Sequence, residues 1–153
     1  MNKKKISTVL LIAFLITAIL TLANVFLADS NTDVNQTGTL TIDNETVHYE
    51  KAEKCIEVID GNTIQVYGVG RVQLTQVDII KEEPKFSQAN DFVSQRCLGK
   101  TVYLNIDDKQ PKDKYGRTLA IVYTNDTNVN KGLLNNNLAK VSYFEPSEFE
   151  KGL

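Results

Sequence analysis

Three short runs rich in β-branched and aromatic residues follow one another so closely that few folds can accommodate them. The runs cover residues 55–59, 63–67 and 71–77, and short glycine-containing links at 60–61 and 68–70 separate them. Glycine adopts the positive φ angles that tight hairpin turns require. The three runs are therefore predicted to form an antiparallel meander of strands.

One helix and two further strands are predicted after this meander. Ser87 is expected to cap a helix that ends at Gly99. Residues 101–106 and 118–123 read as strands joined by a charged loop, and Asn128 is expected to cap a second, short helix. Five strands with a helix after the third fit the five-stranded Greek-key barrel called the OB-fold. The predicted fold class is mainly β, a five-stranded OB-fold barrel with attached helices.

A small hairpin is predicted ahead of the meander. Residues 39–42 and 46–49 alternate apolar and polar side chains on either side of a group of turn-forming residues. His48 lies in this alternation, so we expect a surface imidazole there and not a catalytic one.

The N-terminal segment combines a basic start with a long apolar run. Lysines occupy positions 3–5, and residues 6–28 contain no charged residue, which is long enough to span a bilayer as one transmembrane or signal-anchor helix. The expected location is the cell membrane, single-pass with the C-terminal domain outside, or the exterior if the segment is cleaved. The predicted organisation is a signal anchor or signal peptide at 1–28, a flexible linker at 29–38 and a folded domain at 39–153.

The two cysteines leave two alternatives open. In an exported domain, Cys55 and Cys97 suggest a disulfide. The alternative is two separate buried thiols that behave as small apolar side chains. Two cysteines and a single histidine do not complete a usual zinc site.

The charge of the chain limits what it can bind. The three N-terminal lysines belong to the 17 basic residues of the chain, so the remainder has 14 basic against 19 acidic side chains, a net charge of −5. Affinity for nucleic acid comes largely from Lys and Arg placed against phosphates. Any role with nucleic acid would therefore depend on a local patch.

Four short motifs occur in order along the predicted domain, at residues 58–64, 72–78, 113–120 and 138–141. Together they resemble the successive signatures of the staphylococcal nuclease-like (thermonuclease) family, over about residues 52–144. The fold of that family is the OB barrel with attached helices. Its activity is calcium-dependent hydrolysis of DNA and RNA phosphodiesters, so the resemblance implies a site built for phosphoryl transfer.

The resemblance also implies that most catalytic positions have been replaced. The family's first metal-binding aspartate corresponds to Asn62 and its first arginine to Gln73, while Lys81 stands in place of the catalytic glutamate. The second metal-binding aspartate and the second arginine are kept, as Asp78 and Arg117. Metal binding by Asp78 and Asn62 is expected to be weak or absent, which leaves Arg117 as the retained catalytic residue.

Two alternatives qualify this interpretation. Glu82 and Glu83 follow the lost glutamate by one and two residues, and a bulge would bring one of them into place as a base. Arg117 has a purely structural alternative, in which it pairs with Asp113 or Asp107.

The sequence therefore favours a membrane-anchored, extracytoplasmic thermonuclease-like domain whose phosphodiesterase activity is lost or strongly reduced and which acts as a nucleic-acid or protein binding module. A weak calcium-dependent nuclease and an envelope protein-interaction module are the alternatives. No cofactor is expected apart from calcium if activity is retained. The expected partners are the membrane, single-stranded nucleic acid and an envelope protein.

Overall fold

The computed structural model describes residues 37–151. The anchor predicted at residues 1–28 and nearly all of the predicted linker lie outside the described residues. None of the helices within residues 37–151 has the length and apolarity that a membrane crossing needs.

The described part of the chain contains nine strands and two helices. In chain order they are β1 (Gly38–Ile42), β2 (Glu45–Tyr49), β3 (Lys51–Asp60), β4 (Thr63–Val66), β5 (Gly70–Leu74), β6 (Val77–Ile79), α1 (Lys85–Cys97), β7 (Thr101–Ile106), β8 (Thr118–Tyr123), α2 (Val129–Asn135) and β9 (Ala139–Val141).

Five of these strands close a barrel in the order β3, β4, β5, β8, β7. The predicted meander of β3, β4 and β5 is antiparallel throughout, and β7 pairs antiparallel with both β3 and β8. The one parallel pair of the barrel joins β5 to β8 and places Val72 opposite Thr118. A mainly β fold with a five-stranded barrel and a helix after its third strand is thus confirmed.

The helix α1 packs one face against the barrel. Ala89, Val93 and Cys97 recur every four residues and are fully buried, as expected for the apolar stripe of an amphipathic helix. They join Ile64 and Leu74 of the barrel strands in one hydrophobic core.

The hairpin predicted at the start of the domain is present as β1 and β2. Its turn residues Asp43 and Asn44 both have positive φ, 51° and 65°, which is the signature of a type I′ hairpin. Ile42 packs with Ile121 and Tyr123 of β8 in a second apolar cluster. His48 is exposed beside Glu50, as expected of a surface imidazole.

The single strand predicted at residues 71–77 is wrong, because the chain turns after β5 and pairs again as β6. Gln76 in this turn has a φ of 62° and is 2% exposed. Its side-chain nitrogen donates to the Ser147 hydroxyl and to the Phe149 main-chain oxygen, at 3.3 and 3.2 Å. These contacts with the C-terminal segment stabilise a turn that the apolar pattern of the run does not indicate.

The cap predicted at Ser87 is also wrong, since α1 already begins at Lys85. Ser87 lies in the first turn, where its hydroxyl and main-chain nitrogen both donate to the Glu83 carboxylate. The predicted cap of the second helix is confirmed, because the Asn128 side chain accepts from Lys131 N.

The disulfide predicted between Cys55 and Cys97 is absent from the structure, in which both residues are free, buried thiols. The Cys55 thiol donates instead to the Glu57 main-chain oxygen, 3.5 Å away. Burial, and then the neighbouring Cys55, raise the pKa of Cys97 to about 12. The two cysteines therefore follow the alternative of small apolar core residues.

Candidate functional site

A polar cleft of about 460 Å³ forms where β5, β6, the β3–β4 turn and the first turn of α1 meet the residue that precedes β8. It brings together the five positions whose side chains the family resemblance assigns to metal binding and catalysis. The cleft is lined by Asp60, Asn62, Gln73, Asp78, Ile79, Lys81, Phe86 and Arg117.

Asn62 is held in the β3–β4 turn by contacts on both sides. The preceding Gly61 lies so close to α1 that a Cβ there would approach the Ala89 Cβ to 2.8 Å. The Asp60 carboxylate accepts from Asn62 N at 2.9 Å, and the Asn62 side-chain nitrogen donates to the Val77 main-chain oxygen at 3.2 Å. Asn62 is 8% exposed, so its amide is bonded into the barrel as well as lining the cleft.

Gln73 is bound to its neighbours on the barrel surface. It lies opposite Thr63 in the pairing of β4 with β5. Its side-chain oxygen accepts from the Thr63 hydroxyl at 3.2 Å, and its nitrogen donates to the Leu74 main-chain oxygen at 3.4 Å. A neutral amide at this point supplies no positive charge to a bound phosphate.

Arg117 is oriented by Asp113 in the preceding turn. Its Nε and Nη2 both contact Asp113 Oδ2 at 2.7 Å, and Asp113 Oδ1 accepts from the main-chain nitrogens of Arg117 and Tyr115 at 2.9 Å. Burial acts to raise the pKa of Asp113, but these hydrogen bonds outweigh it and hold the pKa below its ordinary value. The predicted pairing of Arg117 with Asp113 is confirmed, and the rest of the guanidinium faces the cleft.

Lys81 and Asp78 differ from these residues because their charged groups are not engaged by the protein. Both are exposed, and within residues 37–151 neither side chain has a hydrogen bond or ion pair. Asp78 lies directly opposite Lys140 in the pairing of β6 with β9, which places the two side chains on the same face. The cleft lining therefore has two cationic side chains, those of Lys81 and Arg117, and Lys140 neighbours Asp78 on the adjacent strand.

The two candidate substitute bases do not line the cleft. Glu83 accepts from Ser87 at the start of α1, with its Oε1 2.9 Å from the Ser87 hydroxyl. Glu82 is exposed and is not among the lining residues. The bulge that would bring either glutamate into the position of the lost base is not formed.

The donor set of the cleft does not fit calcium. Calcium takes six to eight oxygen ligands and prefers several carboxylates, whereas the cleft offers Asp60, Asp78 and the amide of Asn62. No group of three or more His, Cys, Asp or Glu side chains suited to a metal occurs within the described residues. Lys81 and Arg117 line the same cleft, so their charges oppose a divalent cation.

No role is predicted from the sequence for the side chains of three residues of this region. Ile79 and Phe86 supply its apolar wall, and Lys140 stands beside Asp78 through the pairing of β6 with β9. Phe86 follows Pro84 at the start of a helix, but nothing local to it indicates a cleft. Lys140 lies within the fourth motif, and only the strand pairing shows that it neighbours the site.

A closed five-stranded barrel with a helix after its third strand, and a cleft of mixed charge beside that helix, defines an OB-type barrel with a polar surface site. The family described as Staphylococcal nuclease homologue matches residues 71–152, more than half of the chain. The chain belongs to this family, which confirms the resemblance carried by the four motifs.

Two relatives are thermonucleases. The chain is 34% identical over 108 residues to the thermonuclease of Staphylococcus hyicus, covering 64% of this chain and 63% of that protein. It is 35% identical over 101 residues to the thermonuclease of Staphylococcus intermedius, covering 60% of each. A protein of Bacillus anthracis described as uncharacterized is 29% identical over 105 residues. The chain thus spans about three fifths of the length of the two thermonucleases.

Proposed function

We propose that this protein is a degenerate thermonuclease-like module that has lost most or all phosphodiesterase activity and binds single-stranded nucleic acid through its cleft. The observation that carries the proposal is the joint presence of Asn62, Gln73 and Lys81 at the positions that the family resemblance assigns to a metal ligand, an arginine and a general base. The amides of Asn62 and Gln73 are in addition bonded to the barrel.

The expected loss of rate is large. Removing one positioned charge donor to a transition state costs about 100- to 1,000-fold, and removing a general base about 100- to 10,000-fold. These losses are not fully additive, but several orders of magnitude are expected. The alternative of a weak nuclease needs Glu82 or Glu83 as a base, and neither lines the cleft.

Binding is supported by the groups that remain. The guanidinium of Arg117 is oriented by Asp113, and the ammonium of Lys81 faces the same cleft. Tyr115 is 72% exposed beside Arg117, with the guanidinium carbon 5.4 Å from its ring centroid. Phosphate contacts next to an exposed aromatic ring are the usual elements of single-strand binding.

The place of action is proposed from the sequence. The lysines at positions 3–5 and the uncharged residues 6–28 support a membrane anchor that leaves the barrel outside the cytoplasm. The net charge of −5 beyond the N-terminal lysines would suit an envelope protein partner equally well. A salt-dependent affinity for single-stranded DNA separates the two, because phosphate contacts release counterions.

The deciding experiment measures cleavage of a labelled single-stranded DNA by the full-length chain in mild detergent, with millimolar calcium or with chelator. We expect no cutting above background in either condition. Cutting that requires calcium and disappears in Arg117→Ala would overturn the proposal, because it would show a working nuclease site.

A further inference from the structure

We propose that the ammonium group of Lys81 takes the electrostatic place of a metal ion in this cleft, so that the site binds a nucleic-acid phosphate without any divalent cation. This inference rests on the proposed function of the cleft as a nucleic-acid binding site and adds the source of the positive charge. The ligand class is a single-stranded oligonucleotide, held by one backbone phosphate.

The first step is the availability of Lys81. Its side chain lines the cleft and is exposed. Within residues 37–151 it has no hydrogen bond and no carboxylate within 4.0 Å. All three N–H donors of the ammonium are therefore open to a ligand.

The second step is the charge balance of the cleft. Its lining residues include two carboxylates, Asp60 and Asp78, and two cations, Lys81 and Arg117, of which Arg117 is already paired with Asp113. Lys140 lies directly opposite Asp78 in the pairing of β6 with β9 and is not a lining residue. Lys81 is therefore the lining cation that no carboxylate within residues 37–151 pairs with, and its charge opposes a divalent cation and attracts a phosphate.

The third step is the difference in mobility between the two cationic side chains. Arg117 is fixed by its contacts with Asp113 Oδ2, so it presents its remaining N–H groups in one orientation. Lys81 is a flexible point charge on the same cleft lining. The cleft of about 460 Å³ lies within the size range of small-ligand sites, and both side chains belong to its lining.

The test follows the binding of a fluorescein-labelled single-stranded oligothymidylate by anisotropy, with the full-length chain in mild detergent. Titrations are run at several salt concentrations, in chelator and in calcium. The variants are Lys81→Gln and Lys81→Glu, and the matched control is Lys54→Gln, an exposed lysine of β3 that does not line the cleft.

Unchanged wild-type binding in chelator is the expected result. The slope of log affinity against log salt should fall by about 0.7 in Lys81→Gln, the value for one phosphate contact on a single strand, and should stay constant in Lys54→Gln. Lys81→Glu should lose binding in chelator and regain part of it in calcium.

Wild-type binding that vanishes in chelator and returns with calcium would overturn this inference, because the metal would then supply the charge. Absence of oligonucleotide binding in every condition would overturn the proposed function, and this inference with it. Calcium-dependent binding overturns this inference alone, whereas loss of all binding, or calcium-dependent cleavage lost in Arg117→Ala, removes the proposed function itself. The two failures are therefore distinguishable.

Discussion

The side-chain nitrogen of Asn62 donates a hydrogen bond to the main-chain oxygen of Val77, 3.2 Å away. This bond ties the β3–β4 turn to β6, the strand that carries Asp78. A carboxylate at position 62 has no proton to donate at neutral pH, so two acceptors would face each other. The Asn62 amide thus stabilises the fold at a position where the family resemblance places a metal ligand.

Replacing this amide with a carboxylate should destabilise the domain. In Asn62→Asp we expect the free energy of unfolding to fall by about 1–3 kcal/mol, because the buried Val77 oxygen loses its donor. Urea unfolding followed by circular dichroism measures the change. The control Gln88→Glu makes the same chemical change at an exposed position of α1 and should stay within about 0.5 kcal/mol. Equal stability of Asn62→Asp and wild type would contradict a structural role for the amide.

Restoring three positions together should restore catalysis. The triple variant Asn62→Asp, Gln73→Arg, Lys81→Glu is expected to cleave single-stranded DNA in calcium at least about 100-fold faster than wild type, since these groups act as a unit. Each single variant should remain near background. A folded triple variant that still does not cleave would show that the loss of activity lies elsewhere in the chain.

The contact between Asp113 and Arg117 should make stability depend on pH. The pKa of Asp113 is lowered in the folded protein, so its contribution is present at neutral pH and is lost as the pH falls below about 4. At neutral pH, Asp113→Asn should lower the free energy of unfolding by about 1–3 kcal/mol.

Unfolding curves of both proteins from neutral to acidic pH measure this effect, and the difference should shrink with acidity. Asp91→Asn, at an exposed position of α1, is the control and should change stability little at any pH. A difference between Asp113→Asn and wild type that grows on acidification would have the wrong sign.

The two thiols should resist modification in the folded state. Cys55 and Cys97 are fully buried, and burial raises the pKa of both, so the reactive thiolate is scarce at neutral pH. Alkylation followed by mass spectrometry should label neither residue in native protein and both after unfolding without reductant. A pair that stays unlabelled in denaturant until reductant is added would contain the disulfide.

Most local features of this fold can be predicted from the sequence. The strands at residues 101–106 and 118–123 were predicted with the bounds that β7 and β8 have. The turn at Asp43 and Asn44 and the cap of α2 by Asn128 were equally predictable. Each depends on the conformational preference of a residue or on a hydrogen bond to a near neighbour, so the relevant partners are already adjacent in the chain.

The parts that only the tertiary structure decided depend on partners distant in sequence. The turn at Gln76 relies on Ser147 and Phe149, and the position of Lys140 beside Asp78 relies on the register of β6 with β9. The motifs identified the residues of the site. Closure of the barrel determined which charged side chains are neighbours and which side-chain amides form hydrogen bonds with the barrel. The physical reason is that hydrogen-bond pairing and burial across a closed barrel are fixed by register and packing, which no local pattern contains.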